Sequence, residues 1–268
     1  MRFVSIICLL AVAFQGRAQE LFVFTEPASN VPAGSIGVRV GQSLLKNDMA
    51  GKNTYSLSPE LTWGMNKNLM LRMAGFFDTA GGSLDATGAG LYTKYRFYSV
   101  DDVQSHFRMA AFGRYSWNRS QISHEDIDLG SLNSGFEAGL VATKLIKKLA
   151  LSSSVSYMKA LDNRDFVFPV DQGSNAVGYT FSAGRLMYPQ KYTSFRQTNV
   201  NLMLEVAGQA NMHSGKSYLD VMPSVQFIVN SQARIDLAYR KGVYSSMDRF
   251  TTDGVFLKLE YTFFNVTG

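Results

Sequence analysis

The chain has 268 residues, of which 46% are apolar, 13% aromatic and 18% charged, with a formal net charge of +5 and a mean hydropathy near zero. That polarity excludes a bundle of membrane helices, and so small a basic surplus gives no footing for nucleic acid. It does not exclude a membrane β-barrel, whose strands turn only every second residue towards lipid.

Residues 1–18 read as a cleaved secretory signal peptide. Arg2 supplies the charge, residues 3–14 the apolar core, and Gly16-Arg17-Ala18 a small-x-small site before Gln19. The core is too short to span a bilayer. Its loss removes Arg2 and Arg17 and takes the formal charge from +5 to +3. Cys8, the only cysteine, lies in this leader without the small residues that a lipoprotein box needs before it. The expected mature chain therefore has no disulfide and no Cys-based chemistry. Residues 19–33, QELFVFTEPASNVPA, carry Pro27 and Pro32 and show no period. They read as a periplasmic lead-in, or as a segment tucked into a barrel mouth.

From residue 34 on, alternating segments recur between turn-forming residues. Segment 34–44 sets Ile36, Val38 and Val40 against Gly37, Arg39 and Gly41; 55–63 sets Leu57, Leu61 and Trp63 against Ser56, Ser58 and Glu60. Segments 69–77, 87–97 and 106–117 place Arg72, then Lys94 and Arg96, then His106, Arg108 and Arg114 opposite apolar faces. The weaker 132–142 and 149–159 carry Asn133, Glu137 and Ser152, Ser154, Ser156. Segments 177–183, 198–206, 219–229 and 233–239 oppose apolar rows to Thr180, Glu205, Asp220, and to Arg234 with Asp236. The stretch near Arg185 is the least regular.

The last segment, 252–264, alternates Val255, Leu257, Leu259, Tyr261 and Phe263 with Phe256, Lys258, Glu260, Thr262 and Phe264. Thr252, Gly254, Leu257 and Leu259, followed by Tyr261 and Phe263, resemble the insertion signal that closes bacterial outer-membrane barrels. The ELFVFTEPASN wording of the lead-in resembles the start of small Bacteroidota-type outer-membrane barrel proteins. The resemblance implies outer-membrane lipid and the barrel-insertion machinery as partners. The chain departs from it by adding Asn265–Gly268 after the last aromatic.

About twelve such segments predict an all-β fold: a closed antiparallel transmembrane barrel over residues 34–268 in the outer membrane of a Gram-negative cell. Connections alternate between shorter (64–68, 98–105, 144–148, 185–197, 230–232) and longer (45–54, 78–86, 118–131, 161–176, 207–218, 242–253), as periplasmic turns and outer loops do. Outward aromatics fall at both strand ends, Trp63, Tyr95 and Phe97 by short turns and Tyr115, Trp117 and Tyr239 by long loops, as two interfacial girdles require.

The predicted inner face carries Arg39, Arg72, Lys94, Arg96, Arg108, Arg114, Arg234, Arg240 and Lys258 against Glu60, Glu137, Glu205, Asp220, Asp236 and Glu260. Two readings compete. These groups, with His106, line a pore whose basic surplus favours anions, with Lys94, Arg96, His106 and Arg108 clustered at the periplasmic mouth. Alternatively they neutralise one another, Arg39 with Glu60 or Glu260 and Lys258 with Asp236, and pack the interior shut. Inward Gly37, Gly41, Gly88, Gly90, Gly135 and Gly139 leave room and favour the pore. The expected function is passive passage of small hydrophilic, anion-leaning solutes; the alternative is a non-conducting surface barrel whose outer loops bind a partner.

Catalytic readings are weaker. Loop 118–131 holds His124, Glu125, Asp126 and Asp128, which suit a divalent cation or a rim protease, but a solvated acidic loop needs fewer assumptions. His213-Ser214-Gly215 lacks the fuller motif of outer-membrane lipases. No cofactor or metal is expected, and no enzyme.

Overall fold

The computed structural model describes residues 22–47, 51–102, 105–169, 172–189 and 197–267. The expected signal peptide lies outside them. Twelve strands follow in order: β1 (Ile36–Asn47), β2 (Lys52–Gly64), β3 (Leu69–Asp78), β4 (Asp85–Asp102), β5 (Ser105–Asn118), β6 (Ser134–Ile146), β7 (Leu149–Leu161), β8 (Asn175–Tyr188), β9 (Asn199–Asn211), β10 (Ser217–Val229), β11 (Ala233–Ser245) and β12 (Thr251–Phe263). Each pairs antiparallel with its sequence neighbours, and β12 pairs with β1, so the sheet is a closed barrel. Closure leaves no strand edge, the condition for a sheet to cross lipid.

The two-residue period sets the outside. Leu140 and Leu259 are 49% and 40% exposed, while their neighbours Val141 and Lys258 turn inward. Leu91, Val155, Leu202 and Leu237 continue the apolar belt round the barrel, with Trp63, Tyr95, Trp117 and Tyr261 nearer its rims. A water-facing sheet would not leave such a continuous apolar band uncovered. This is a transmembrane barrel of the outer-membrane type, and its place is the outer membrane.

Short turns close one end. Asn230 and Ser231 both have positive φ, 52° and 57°, and Gln232 N–H donates to the Val229 carbonyl at 3.1 Å. That geometry is the mirror-image turn that matches strand twist in a tight hairpin. At the β2–β3 turn the Asn66 side chain accepts from the Asn68 and Leu69 amides at 2.8 and 2.9 Å.

Several connections are shorter than their polarity suggests. The expected loops 45–54, 207–218 and 242–253 shrink because β1 and β2 stay paired to Asn47 and Lys52, β9 and β10 to Ala210 and Ser217, and β10 and β11 to Tyr218 and Ser245. The expected turn 98–105 is likewise strand: β4 and β5 pair down to Asp102 and Ser105, with a bulge between Arg96 and Tyr98. The physical reason is common to all four. Backbone ladders run on past the lipid belt, where polar side chains are tolerated on both faces, in water as at 98–102 and 242–245 or against the inserted loops as at Gln209 and Asn211. In the irregular stretch near Arg185, β8 continues to Tyr188; residues 190–196 lie outside the described residues.

The buried core lies inside the barrel and includes chain from outside the sheet. Phe22 and Val23 pack on Ala150, Met203 and Ala238. Ala28 packs on Ala110 and Val141, and Val31 on Met70 and Tyr92. From the long-loop side, Ile127 and Leu129 pack on Ala160, Phe168 and Ala176.

Candidate functional site: an occupied lumen

The strands position a belt of ionic and amide side chains on the inner wall. In register, Arg39 stands between Glu60 of β2 and Glu260 of β12. Its Nη1 is 3.2 Å from Glu60 and its Nε 2.7 Å from Glu260. Arg234 continues the belt, 2.8 Å from Glu260 and 3.1 Å from Asp236. Gln226 Nε2 then donates to Asp236 at 2.8 Å, and Asn201 Nδ2 to Gln226 at 3.0 Å. Arg72 of β3 extends the other end, with Nε 3.5 Å from Glu60. Seven consecutive staves thus share one polar network. Both partners named for Arg39 hold it at once. Lys258 differs from expectation: it faces Asp236 in register, yet its Nζ donates to the Val23 carbonyl at 2.6 Å, while Asp236 bonds Gln226 and pairs with Arg234.

Residues 22–33 cross this wall from inside. The Glu205 carboxylate accepts the Val23 amide at 2.8 Å and the Thr25 amide at 2.6 Å, with Phe24 N–H bridging both oxygens at 3.2 and 3.1 Å. Thr143 Oγ1 accepts from Ala28 N–H at 2.9 Å. Lys94 Nζ donates to the Pro27 and Ser29 carbonyls at 2.6 and 2.8 Å, and Arg108 Nη1 to Ser29 Oγ at 3.0 Å. The Arg72 guanidinium grips both oxygens of Glu26. Burial of Phe22 and Val23 adds about 1.5–3 kcal/mol each. Small wall residues make room for the crossing: a Cβ on Gly64 would stand 2.2 Å from the Pro32 carbonyl oxygen. Other inward glycines are not voids either. A Cβ on Gly139 would stand 2.6 Å from the Phe112 ring, and one on Gly135 3.0 Å from Leu129. The expectation that inward glycines leave open space fails at Gly88, Gly90, Gly135 and Gly139, while Gly37 and Gly41, with nearest atoms at 3.7 and 3.6 Å, keep room for a Cβ.

Loop 119–133 enters from the other end. Gln209 clamps Ile127 twice at 2.9 Å, its Oε1 accepting the amide and its Nε2 donating to the carbonyl. Arg249, from loop 246–250, forks onto Asp220 with both contacts at 2.6 Å, lies 3.7 Å from Asp126 and stacks 3.7 Å from the Tyr218 ring centre. Glu125 accepts from Lys216 Nζ at 2.5 Å and from the Asp248 amide at 2.9 Å. The Lys216 hydrogen bond leads in holding the Glu125 carboxyl below its ordinary value, and the same bond raises Lys216. His124 is buried, its Nε2 3.2 Å from Asn133 Oδ1. The loop is therefore packed into the mouth, not the solvated acidic loop of the sequence reading, because its apolar Ile127, Leu129 and Leu132 pull it inward.

The remaining named residues fall as follows. Arg114 pairs with Glu137 at 3.5 Å near the long-loop end, and Arg240 approaches Asp220 at 3.8 Å. The basic residues expected at the short-turn mouth remain neighbours, Lys94 and Arg108 both meeting Ser29, but each is already engaged. Lys94 is fully buried beneath the inner segment, Arg96 donates to the Lys67 carbonyl at 2.6 Å, and His106 and Arg108 both bond Asp101 of the extended hairpin, at 2.8 and 3.0 Å. In β12, Leu257, Leu259, Tyr261 and Phe263 face out, Thr252 is half-buried, and Gly254 turns inward, where a Cβ would stand 2.7 Å from Leu45. His213 and Ser214 donate backbone amides to Asn211 Oδ1, a turn motif in which their side chains take no part. Sequence reasoning missed Glu26, Arg249 and Gln209, and it placed Asn201 and Gln226 on the inward face without giving them a role. The apolar LFVF run ahead of Glu26 was the available signal for the first.

No family model and no curated protein matches the chain. Among solved structures, an outer-membrane channel from Pseudomonas putida F1 is 12% identical with a TM-score of 0.58, the match covering 90% of this chain and all of that one. The NanC porin is 11% identical with a TM-score of 0.48, covering 84% and 98%. OprD of Pseudomonas aeruginosa is 9% identical with a TM-score of 0.42, covering 85% and 66%. At these identities the likeness is one of fold: the first of them shares the closed barrel.

Proposed function

We propose that the barrel is an outer-membrane channel for passive passage of small hydrophilic solutes, constricted by residues 22–33 on one side and loop 119–133 on the other. The observation that carries this reading is how the interior is filled. The wall sets ionic and amide side chains between apolar patches, and the space they leave is taken by two non-sheet segments held by hydrogen bonds and ion pairs as well as by apolar contacts. A barrel built only as a rigid shell fills its lumen with its own wall side chains. The fold shared with a named channel agrees with it.

The anion lean belongs to the channel with its inner segment withdrawn. Nine basic wall residues outnumber six acidic ones, but Glu26, Glu125, Asp126 and Asp128 on the inserted segments, against Arg119, offset that surplus. The domain plan completes the proposal: a leader at 1–18, a lead-in at 19–33 and the barrel at 34–268, of the small Bacteroidota type, inserted through its β12 signal. No catalytic residue is assigned.

The occupied lumen also favours a second reading, a non-conducting barrel whose outer loops 119–133 and 162–174 bind a partner. Planar-bilayer recording separates the two. The channel reading expects weak or flickering current from the full mature chain and steady, anion-selective current once residues 19–33 are deleted. A folded deletion variant that carries no current sinks it.

A further inference from the structure

Residues 22–33 do not cross the lumen at random. They lie along a track of cations: Arg72 on Glu26, Lys94 on the Pro27 and Ser29 carbonyls, Arg108 on Ser29, and Lys258 on the Val23 carbonyl. On this track one anion is seated, the Glu26 carboxylate. Both its oxygens meet the Arg72 fork, and Lys94 Nζ lies 3.7 Å from Oε2. The seat is built by the wall. Arg72 is oriented by Thr62 Oγ1, which accepts from its Nε at 3.0 Å, and Lys94 has no solvent exposure. The Tyr92 ring lies beside it, with the Arg72 guanidinium 5.4 Å from the ring centre. A planar guanidinium fork beside an ammonium is the geometry that takes carboxylates in preference to spherical anions.

We propose that Arg72 and Lys94 form a carboxylate-binding site of the lumen, filled in cis by Glu26, so that a small carboxylate solute and the chain's own inner segment compete for it. The inference rests on the channel reading and names the class of solute. It makes the inner segment a strap that the solute itself unlatches. Glu205 holds backbone amides whatever the side chains are, so the selective step falls to the Glu26 seat.

The test follows the strap. The only cysteine, Cys8, precedes it in the expected leader, so Ala28→Cys in the mature chain gives a single thiol at a buried strap position. In detergent, its labelling by a small hydrophilic thiol reagent is timed in sodium acetate and in sodium chloride of equal ionic strength. Acetate should accelerate labelling and chloride should not. Adding Glu26→Gln should raise the rate in chloride by about tenfold or more, the scale of a charged hydrogen bond, and abolish the acetate response. Glu26→Asp, which keeps the carboxylate, should retain part of the response, and heat-modifiable migration confirms that each barrel is folded. Equal rates in acetate and chloride overturn the site, even if Glu26→Gln loosens the strap, because the pair would then be structural only. Current recorded on the same proteins keeps the two readings apart. Acetate-dependent labelling without conductance upholds the site and sinks the channel; conductance without acetate dependence does the reverse.

Discussion

Glu205 shows how much a single buried carboxylate organises. Three successive backbone amides converge on it, and Ser182 Oγ lies 3.3 Å from its second oxygen. A buried anion is stable only when its lone pairs are met in this way. Replacing it by Gln leaves one acceptor oxygen and adds a donor facing amide hydrogens. Glu205→Gln should cost roughly 1–3 kcal/mol, read as a lowered unfolding midpoint and faster hydrogen exchange at Val23–Thr25. Gly64 makes the converse point. The atom that an added Cβ would meet is the backbone oxygen of Pro32, which cannot swing aside as a side chain tip would. Gly64→Ala should cost about 1–3 kcal/mol through overpacking and should expose residues 31–33 to protease, while the strands beyond β2 keep their protection.

At the scale of elements, the outer loops behave as parts of the interior. The Glu125–Lys216 contact ties loop 119–133 to loop 212–216, and the Asp248 amide ties both to loop 246–250. The Glu125 carboxyl is lowered by folding, so its contribution is complete above the ordinary value of 4.5 and is lost as pH falls through the lowered one. The Asp248 amide resonance should therefore titrate below pH 4.5, and Lys216→Ala should move that inflection upwards, towards the ordinary value. An inflection unmoved by Lys216→Ala would mean that the ammonium does not hold the loop. Element identity was legible from the chain, because alternation such as that of Leu257, Leu259 and Tyr261 against Lys258 and Glu260 is imposed by lipid on one side and a polar lumen on the other. Strand ends were not: residues 98–102 and 242–245 read as loop because, past the lipid belt, pairing no longer selects residue type. That residues 22–33 tuck into the barrel was one of two readings the chain left open, and the grips that hold them were illegible for a related reason. Lys94 and Glu205 grip main-chain carbonyls and amides, which every sequence possesses.

For the molecule as a whole, the lipid belt is the most direct quantity to test. Leu140 sits midway along β6 on the outer face. Leu140→Arg should destabilise the barrel by about 2–4 kcal/mol in reversible unfolding from bilayers, whereas the same change on a water-facing sheet would cost almost nothing. The residues that contact the inner segment bear on how the barrel is made. Pro32 meets Gly64 on β2, Glu26 meets β3, Ala28 meets β6, Val23 meets β9 and β12, and residues 265–267 fold back so that Val266 and Thr267 donate to the Gly34 carbonyl. A segment so enclosed is poorly placed to thread in from outside after the wall has sealed, since its contacts lie on strands from both ends of the chain. The expected order is that residues 22–33 are laid across the growing sheet before the β1–β12 seam shuts over them, and a peptide of these residues added to an already folded barrel that lacks them should then fail to bind.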